Sequence, residues 1–281
     1  MKKELTFLQE LAREAGDIML ARRDGHKEIY HKADLSPVTA VDLEISRLVC
    51  QRVSEQFPGY GLLTEETFSG RMVPFERGFV IDELDGTHSY MLGRREFSFQ
   101  AAYYEEGRLV AGVIFSPMRE LMLYAARGQG VFMQTVSQIS RILPPSYRAW
   151  SRLRFAHHRN HMTETQRRVY VRLGVPASRI IHTGCISSKT IDFVLGKVDA
   201  LVALNRFIGP WDWAPGKVIL EELGFRLTHL DGSELRLFAT PAEGMSFGYL
   251  VCQQAHHERL YSELQWINHR LRRYRAVFMS A

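Results

Sequence analysis

Two aspartates three residues apart, at the end of an apolar run, constrain this chain more than any other feature. Asp82 and Asp85 follow the apolar run 79–81, and Gly86 and Thr87 come directly after them. An apolar run that enters a turn is typical of the end of a buried strand, so both carboxylates are predicted at one edge of a sheet. Carboxylates held close together repel each other unless something neutralises them. The stretch therefore predicts either a site for a hard divalent cation or an Asp-rich turn.

The glycine in this stretch suggests a second kind of ligand. Because glycine allows close backbone approach, the amides of Gly86 and Thr87 are expected to hold an anion if a helix begins here. Mg²⁺ typically takes one or two carboxylates together with substrate phosphate, which suits the same neighbourhood.

The composition is that of a globular protein with a mildly basic balance. The chain has 281 residues, 46% hydrophobic and 24% charged, with a net charge of +5. This length suits one large or two medium domains. The positive balance favours anionic substrates and does not indicate nucleic-acid binding. An arginine cluster over 270–275 is predicted to be the solvated face of a helix.

Cysteine usage and hydropathy indicate the compartment. Cys50, Cys185 and Cys252 are far apart and show no C-x-x-C spacing, so neither a zinc site nor a disulfide framework is predicted. The N-terminal residues have no apolar core of signal-peptide length. No apolar run approaches the roughly 18 residues of a membrane span. We therefore expect a cytoplasmic protein without membrane association.

The other acidic candidates each have a local explanation. Asp42 lies in the first turn of a predicted helix, where an acidic residue favours the helix dipole. Glu65 and Glu66 follow a short predicted strand and are typical of a solvated turn. Asp212 and Pro215 both suit the first turn of another helix. Taken singly, none of them requires a functional role.

The predicted elements divide the chain into two halves. Strands are expected over 97–104, 109–115 and 121–126, so the first half is rich in antiparallel strand signals. Periodicity is lost over 134–152, which contains Pro144 and Pro145. A soft domain boundary is therefore predicted there, between an N-terminal α+β half (1–145) and a C-terminal α/β half (146–281).

Taken together, the motifs resemble the inositol monophosphatase superfamily of Mg²⁺-dependent, lithium-sensitive phosphatases. The apolar pair and Asp-Pro-x-Asp-Gly-Thr signature of that superfamily resembles residues 80–87, and its Trp-Asp-x-Ala-Ala-Gly signature resembles 211–216. Its Glu-Glu and Val-Thr-x-x-Asp elements correspond to 65–66 and 38–42. Four motifs in family order make the resemblance highly specific.

The resemblance implies a fold, an activity and partners. The fold would be an αβαβα layered sandwich, like that of inositol monophosphatase and fructose-1,6-bisphosphatase. The activity would be Mg²⁺-dependent hydrolysis of a small phosphate monoester. Two alternatives remain open: a 3'(2'),5'-bisphosphate nucleotidase, and a metal-binding protein without turnover. A nucleic-acid binder that uses the C-terminal arginines is a third, less favoured reading. The family often forms homodimers, so a homodimer is left open.

The resemblance also implies residue roles. Glu65, Asp82 and the Leu84 carbonyl would hold one Mg²⁺, and Asp82, Asp85 and Asp212 would hold the second. A third, weaker ion would lie near Glu65, which also belongs to the catalytic set. The remaining implied roles are water activation (Asp42 and Thr87), phosphate binding (the Gly86 and Thr87 amides) and substrate binding (Asp212).

Several positions depart from the family pattern or leave the substrate open. Glu83 replaces the usual proline between the two aspartates, and Pro215 replaces an alanine. Asn205 stands where inositol monophosphatases carry a glutamate that binds inositol hydroxyls. The segment 187–189, Ser-Ser-Lys, is either the lead-in to a helix or a contact for a second phosphate. The implied metal and water carboxylates are all retained, so activity is expected.

Overall fold

The computed structural model describes residues 2–24, 29–31, 37–159, 162–204, 208–238 and 248–278. The α-helices in these ranges are α1 (Lys2–Ala21), α2 (Ala40–Gln56), α3 (Thr87–Met91), α4 (Glu164–Arg172), α5 (Ile186–Val194), α6 (Pro210–Glu222) and α7 (Gln254–Phe278). The strands of the first half are β1 (Ile29–His31), β2 (Pro37–Thr39), β3 (Gly61–Thr64), β4 (Arg77–Asp85), β5 (Ser98–Glu105), β6 (Arg108–Ser116), β7 (Leu121–Ala126), β8 (Gly130–Gln134) and β9 (Ile139–Ile142). Those of the second half are β10 (Phe155–His158), β11 (Ile180–Thr183), β12 (Ala200–Ala203), β13 (Phe225–His229) and β14 (Tyr249–Gln253).

Helices and sheets alternate in five layers, as the family resemblance implied. The helices α1 and α2 cover one face of a seven-stranded sheet with the order β3-β4-β5-β6-β7-β8-β9. The helices α5 and α6 lie between that sheet and a five-stranded sheet with the order β11-β10-β12-β14-β13. The outer face of the second sheet is covered by α4 and α7. Each apolar face is thus buried against another layer, and the αβαβα sandwich is confirmed.

The first layer follows from helical periodicity and capping. In α1, Leu8, Leu11, Ala15 and Met19 recur at helical spacing and are fully buried. The second helix begins after Thr39, whose side chain and backbone exchange hydrogen bonds with the third helical residue in a capping box.

A bulge in β4 controls where its two aspartates point. Asp82 is paired with Gln100 on β5, and Asp85 is paired with Ser98, so three residues on β4 span the distance of two on β5. Side chains three positions apart in a regular strand face opposite sides of the sheet. The extra residue reverses that alternation, and both aspartates can face the same side.

The central helix α6 approaches the seven-stranded sheet very closely. A Cβ atom added to Gly112 on β6 would lie 2.6 Å from the carbonyl oxygen of Pro215. Pro210 occupies the first turn of α6, where a missing N–H costs nothing, whereas Pro215 lies inside the helix. Glycine at position 112 therefore sets the distance between the sheet and the helix that carries Asp212.

Some elements were not predicted from the sequence. The aperiodic segment after β8 contains the strand β9, whose residues are alternately exposed and half-buried at the sheet edge. Residues 187–189 lie inside α5 and do not precede it. The proposed boundary between 1–145 and 146–281 falls between β9 and β10 and stays a prediction.

Among the described residues, no helix combines the length and the hydropathy that crossing a bilayer would require.

Gly112→Ala is expected to lower the free energy of unfolding by about 1–3 kcal/mol, because the methyl group overpacks the contact with Pro215. Chemical denaturation measures the loss. Gly128→Ala is the control, since open space surrounds its Cβ position and only its left-handed backbone, at φ +72°, opposes the substitution. Equal stability of Gly112→Ala and the wild type would show that the close approach does not constrain α6.

Candidate active site

Three carboxylates from two layers meet beside the bulge of β4. One oxygen each of Asp82, Asp85 and Asp212 lies within 4.8 Å of the others. The first two come from β4 and the third from the first turn of α6. The family resemblance implied that all three are ligands of one metal ion, and the fold brings their side chains together.

Asp82 is the most buried member of this triad. Its Oδ1 accepts a hydrogen bond from the Leu84 amide at 3.1 Å, and its Oδ2 accepts one from the Gln100 side chain at 3.2 Å. Burial raises the pKa of Asp82 well above its usual range, and the charges of Glu65, Asp85 and Asp212 raise it further. Without a cation, this site therefore favours the protonated acid.

Asp85 is held from the other side of the cleft. Its Oδ2 accepts a hydrogen bond of 2.6 Å from the backbone amide of Ser187, in the first turn of α5. A residue of the C-terminal half therefore orients a carboxylate of the N-terminal half.

Asp212 is anchored at the start of its own helix. Its Oδ2 accepts a hydrogen bond of 2.7 Å from the Gly209 amide. Burial raises the pKa of Asp212 well above its usual range, as do Glu65 and Asp85, whereas the Gly209 amide and Lys189 act in the opposite direction. The helix-start role and a place in the triad are thus compatible.

Glu65 lies next to the triad without being part of it. It follows β3, and its amide donates a hydrogen bond of 3.2 Å to the Ile81 carbonyl on β4. Its charge acts on both Asp82 and Asp212. Of the predicted carboxylate ligands, the structure thus groups three closely, while the fourth, Glu65, acts on the group through its charge.

Thr87 connects the end of β4 to Asp42. Its hydroxyl lies 3.1 Å from Oδ1 of Asp42 and 3.0 Å from the Leu84 carbonyl, and it can donate its single hydrogen to either. Oδ2 of Asp42 is occupied by the amide and the hydroxyl of Thr39, at 2.8 and 2.5 Å. Burial raises the pKa of Asp42, and these hydrogen bonds lower it. Asp42 is therefore both a helix cap and a partner of Thr87.

Gly86 adopts a conformation that favours glycine. Its φ is +96°, and α3 begins directly after it, as the anion-binding expectation required. An added Cβ would lie 2.7 Å from the Glu96 carbonyl and 3.3 Å from Sγ of Cys185. A side chain here would be strained and would also collide with backbone.

Two charged residues near the triad were not predicted to be buried. Glu83 is fully buried between the two aspartates of β4, and neither of its oxygens has a hydrogen-bond partner among the described residues. Burial raises the pKa of Glu83 to about 8, although the nearby Thr64 and Ser46 hydroxyls act against it. Lys189 is 4% exposed. In the sequence, both looked like polar residues of turns or helix starts.

Asn205, which stands at the position of the inositol-binding glutamate, lies outside the described residues.

The chemistry of the triad fits a divalent cation. All of its candidate donors are carboxylate oxygens, which hard cations such as Mg²⁺ and Ca²⁺ prefer. Their mutual repulsion and burial would be relieved by a bound cation. The Leu84 carbonyl is a further oxygen at the end of β4, 3.0 Å from the Thr87 hydroxyl.

A solved structure confirms the fold. An IMPase of Thermotoga maritima superposes with a TM-score of 0.80 at 23% identity, covering 95% of this chain and 99% of its own.

Curated relatives show which reaction the family carries out. A Thermotoga maritima protein named fructose-1,6-bisphosphatase/inositol-1-monophosphatase is 28% identical over 84% of this chain and 88% of its own. A Chlorobaculum parvum histidinol-phosphatase is 30% identical over 80% and 85%. The 3'(2'),5'-bisphosphate nucleotidase CysQ of Salmonella typhimurium is 35% identical over 43% and 50%.

A layered fold that gathers carboxylates beside a glycine turn, with phosphatases as its relatives, defines a phosphoric monoester hydrolase. The chain belongs to the inositol monophosphatase family, whose pattern matches residues 1–269.

Glu83→Gln is expected to stabilise the metal-free protein increasingly as the pH rises. The unfolded chain loses this proton near pH 4.5, whereas the folded chain keeps it until about pH 8. The folded state binds more protons between these values, so the wild type loses stability with rising pH, by about 5 kcal/mol in total. The amide has no proton to lose and avoids that loss. Denaturation at several pH values in a chelator measures the difference.

The control for this prediction is Glu55→Gln, because Glu55 is exposed on α2 and accepts a hydrogen bond from Gln51. Parallel stability profiles of Glu83→Gln and the wild type from pH 4.5 to 8 would contradict the burial argument.

Proposed function

We propose that this protein hydrolyses a small phosphate monoester with Mg²⁺ at the triad. The observation that carries the proposal is the meeting of Asp82, Asp85 and Asp212 within reach of one cation, beside the hydrogen-bonded pair of Thr87 and Asp42. The membership in a phosphatase family supplies the reaction class.

In this proposal the metal ligands are those that the resemblance implied. Glu65, Asp82 and the Leu84 carbonyl hold one Mg²⁺, and Asp82, Asp85 and Asp212 hold a second. When bound, Mg²⁺ lowers the pKa of water and screens the negative charge of the ester. The position of Glu65 outside the triad suits a ligand of the first ion and of a weaker third one.

Thr87 and Asp42 orient the attacking water. The Thr87 hydroxyl donates toward Asp42 and can accept a hydrogen bond from water with its lone pair. The pKa of Asp42, raised by burial, makes this carboxylate a better proton acceptor than an exposed one. In this proposal Glu65 is a second acidic residue, besides Asp42, that takes part in catalysis.

The turn at Gly86 and the start of α6 hold the substrate. The backbone amides of Gly86 and Thr87 donate to phosphate oxygens, and the left-handed turn leaves no side chain in the way. Asp212, which is partly exposed at the cleft, accepts a hydrogen bond from a hydroxyl of the leaving group. No covalent phosphoenzyme is needed.

The substrate class is proposed from the relatives. Their names cover inositol phosphate, fructose bisphosphate and histidinol phosphate, which are all small phosphorylated molecules. The CysQ similarity favours a bisphosphate nucleotidase as the second candidate. A metal-binding protein that catalyses no reaction is the non-enzymatic alternative.

We place the reaction in the cytoplasm and expect no nucleic-acid partner. A homodimer is left to be tested by light scattering.

Asp85→Asn is expected to reduce phosphate release on the order of a hundredfold or more, because it removes a charge that the cations require. The assay uses Mg²⁺ with inositol 1-phosphate, adenosine 3',5'-bisphosphate, fructose 1,6-bisphosphate and histidinol phosphate. Asp17→Asn, an exposed aspartate on α1, is the matched control and should keep full activity. Wild-type protein that binds Mg²⁺ but hydrolyses none of these would favour the binder without turnover.

Thr87→Val is expected to lower kcat by about 10²-fold, since the methyl group cannot relay a proton to Asp42. Thr87→Ser keeps the hydroxyl and should retain most of the rate. Calorimetry should show unchanged Mg²⁺ binding in both variants. If Val and Ser at this position lose the same fraction of kcat, the hydroxyl has no part in water activation.

A further inference from the structure

A buried ammonium group lies beside the carboxylate triad, and the proposed reaction does not use it. Lys189 is 4% exposed, on the first turns of α5. Its Nζ donates to the Gly184 carbonyl at 2.8 Å and to the Cys185 carbonyl at 3.3 Å. Among the described residues it forms no direct ion pair with a carboxylate. An ammonium group that is buried with neutral acceptors alone is costly, so its retention calls for an electrostatic explanation.

Two of the carboxylates whose charges act on Lys189, Asp85 and Asp212, belong to the triad. Burial lowers the pKa of Lys189, whereas Cys185, Asp85, Asp212 and Glu96 raise it. Lys189 and Asp212 also line the same small cavity of about 10 Å³. Because Lys189 is buried, its Coulomb interaction with these carboxylates is screened less by water than an interaction between exposed charges.

The segment around Lys189 also contacts the triad through the backbone. The side chain folds back over residues 184 and 185, which lead into α5. Two residues before Lys189, the Ser187 amide binds Asp85 at 2.6 Å. The ammonium group is therefore fixed relative to the carboxylates by a short, hydrogen-bonded piece of chain.

We propose that Lys189 is a built-in counter-ion of the metal centre, which offsets part of the carboxylate charge of Asp85 and Asp212 and thereby weakens the binding of divalent cations. The inference rests on the proposed metal site. In this proposal Lys189 acts through the carboxylates of Asp85 and Asp212, so it is a positioning residue.

Charge arithmetic explains what this counter-ion contributes. The four proposed carboxylate ligands, Glu65, Asp82, Asp85 and Asp212, carry four negative charges, and two Mg²⁺ ions balance them. The charge of Lys189 then remains as a positive excess, which attracts a phosphate dianion and opposes the entry of another cation. Before metal binding, the same charge reduces the repulsion among the carboxylates.

Lys189→Met is the test, because it keeps an unbranched side chain of nearly the same length and removes the charge. The expected result is Mg²⁺ binding about tenfold tighter by isothermal titration calorimetry without substrate, since a repelling cation has been removed. The KM for the phosphate ester should rise severalfold. Lys189→Arg retains the charge and should bind Mg²⁺ like the wild type.

The direction of the change separates the counter-ion from a structural role. If Lys189 only anchors residues 184 and 185, its loss disturbs the Ser187 contact to Asp85, and Mg²⁺ binding becomes weaker. Lys189→Gln keeps an N–H donor for these carbonyls without the charge, so it replaces Lys189→Met if that variant does not fold. Unchanged or weaker Mg²⁺ binding in a folded, neutral variant would overturn the proposal.

Lys217→Met is the matched control elsewhere in the chain. Lys217 is also 4% exposed, lies on α6 and pairs with Glu221. Arg127 lies 3.4 Å from the same glutamate and keeps it partnered after the substitution. Mg²⁺ affinity should stay within about twofold of the wild type, as expected for a change in a separate ion pair. If the wild type itself binds no Mg²⁺, the proposed metal site is wrong, and so is the counter-ion role of Lys189.

Discussion

Crowding of buried carboxylates at the end of β4 is the constraint on which the site depends. Ionised groups this close and this buried are unstable unless cations or hydrogen bonds compensate them. Each member of the triad receives at least one hydrogen bond from an amide: Asp82 from Leu84, Asp85 from Ser187 and Asp212 from Gly209. These contacts fix the orientation of the carboxylates but do not neutralise them. The remaining charge is what makes the site selective for cations.

The layered fold supplies these groups from separate elements. The bulge in β4 turns Asp82 and Asp85 to one side of the first sheet, and the central helices α5 and α6 lie against that side. The close approach of Gly112 to Pro215 then sets how far Asp212 stands from the sheet. A carboxylate centre of this kind is therefore a property of the contact between layers, and its geometry is only as rigid as their packing.

The sequence predicted the members of the triad better than their surroundings. An apolar run followed by two aspartates indicates a strand end in any context, and the motif order placed Asp212 with them. Glu83 could not be recognised as buried, because a charged residue between two aspartates reads as part of a turn. Lys189 was predicted to precede a helix, whereas in the structure α5 begins earlier and includes it. The strand β9 was missed because short edge strands bury too little to show a clear apolar pattern.

Asp42 shows how a local explanation and a functional one can both hold. The capping box occupies its Oδ2 with the amide and hydroxyl of Thr39, which leaves Oδ1 directed at Thr87. The capping box at the N-terminus of α2 therefore fixes the orientation of the Thr87 hydroxyl. The helix α2 is itself held in place by its buried residues, which pack against α1 and the seven-stranded sheet. A group held in this way needs no reorganisation when it accepts a proton. The cap is thus part of how the fold holds the pair ready to activate water.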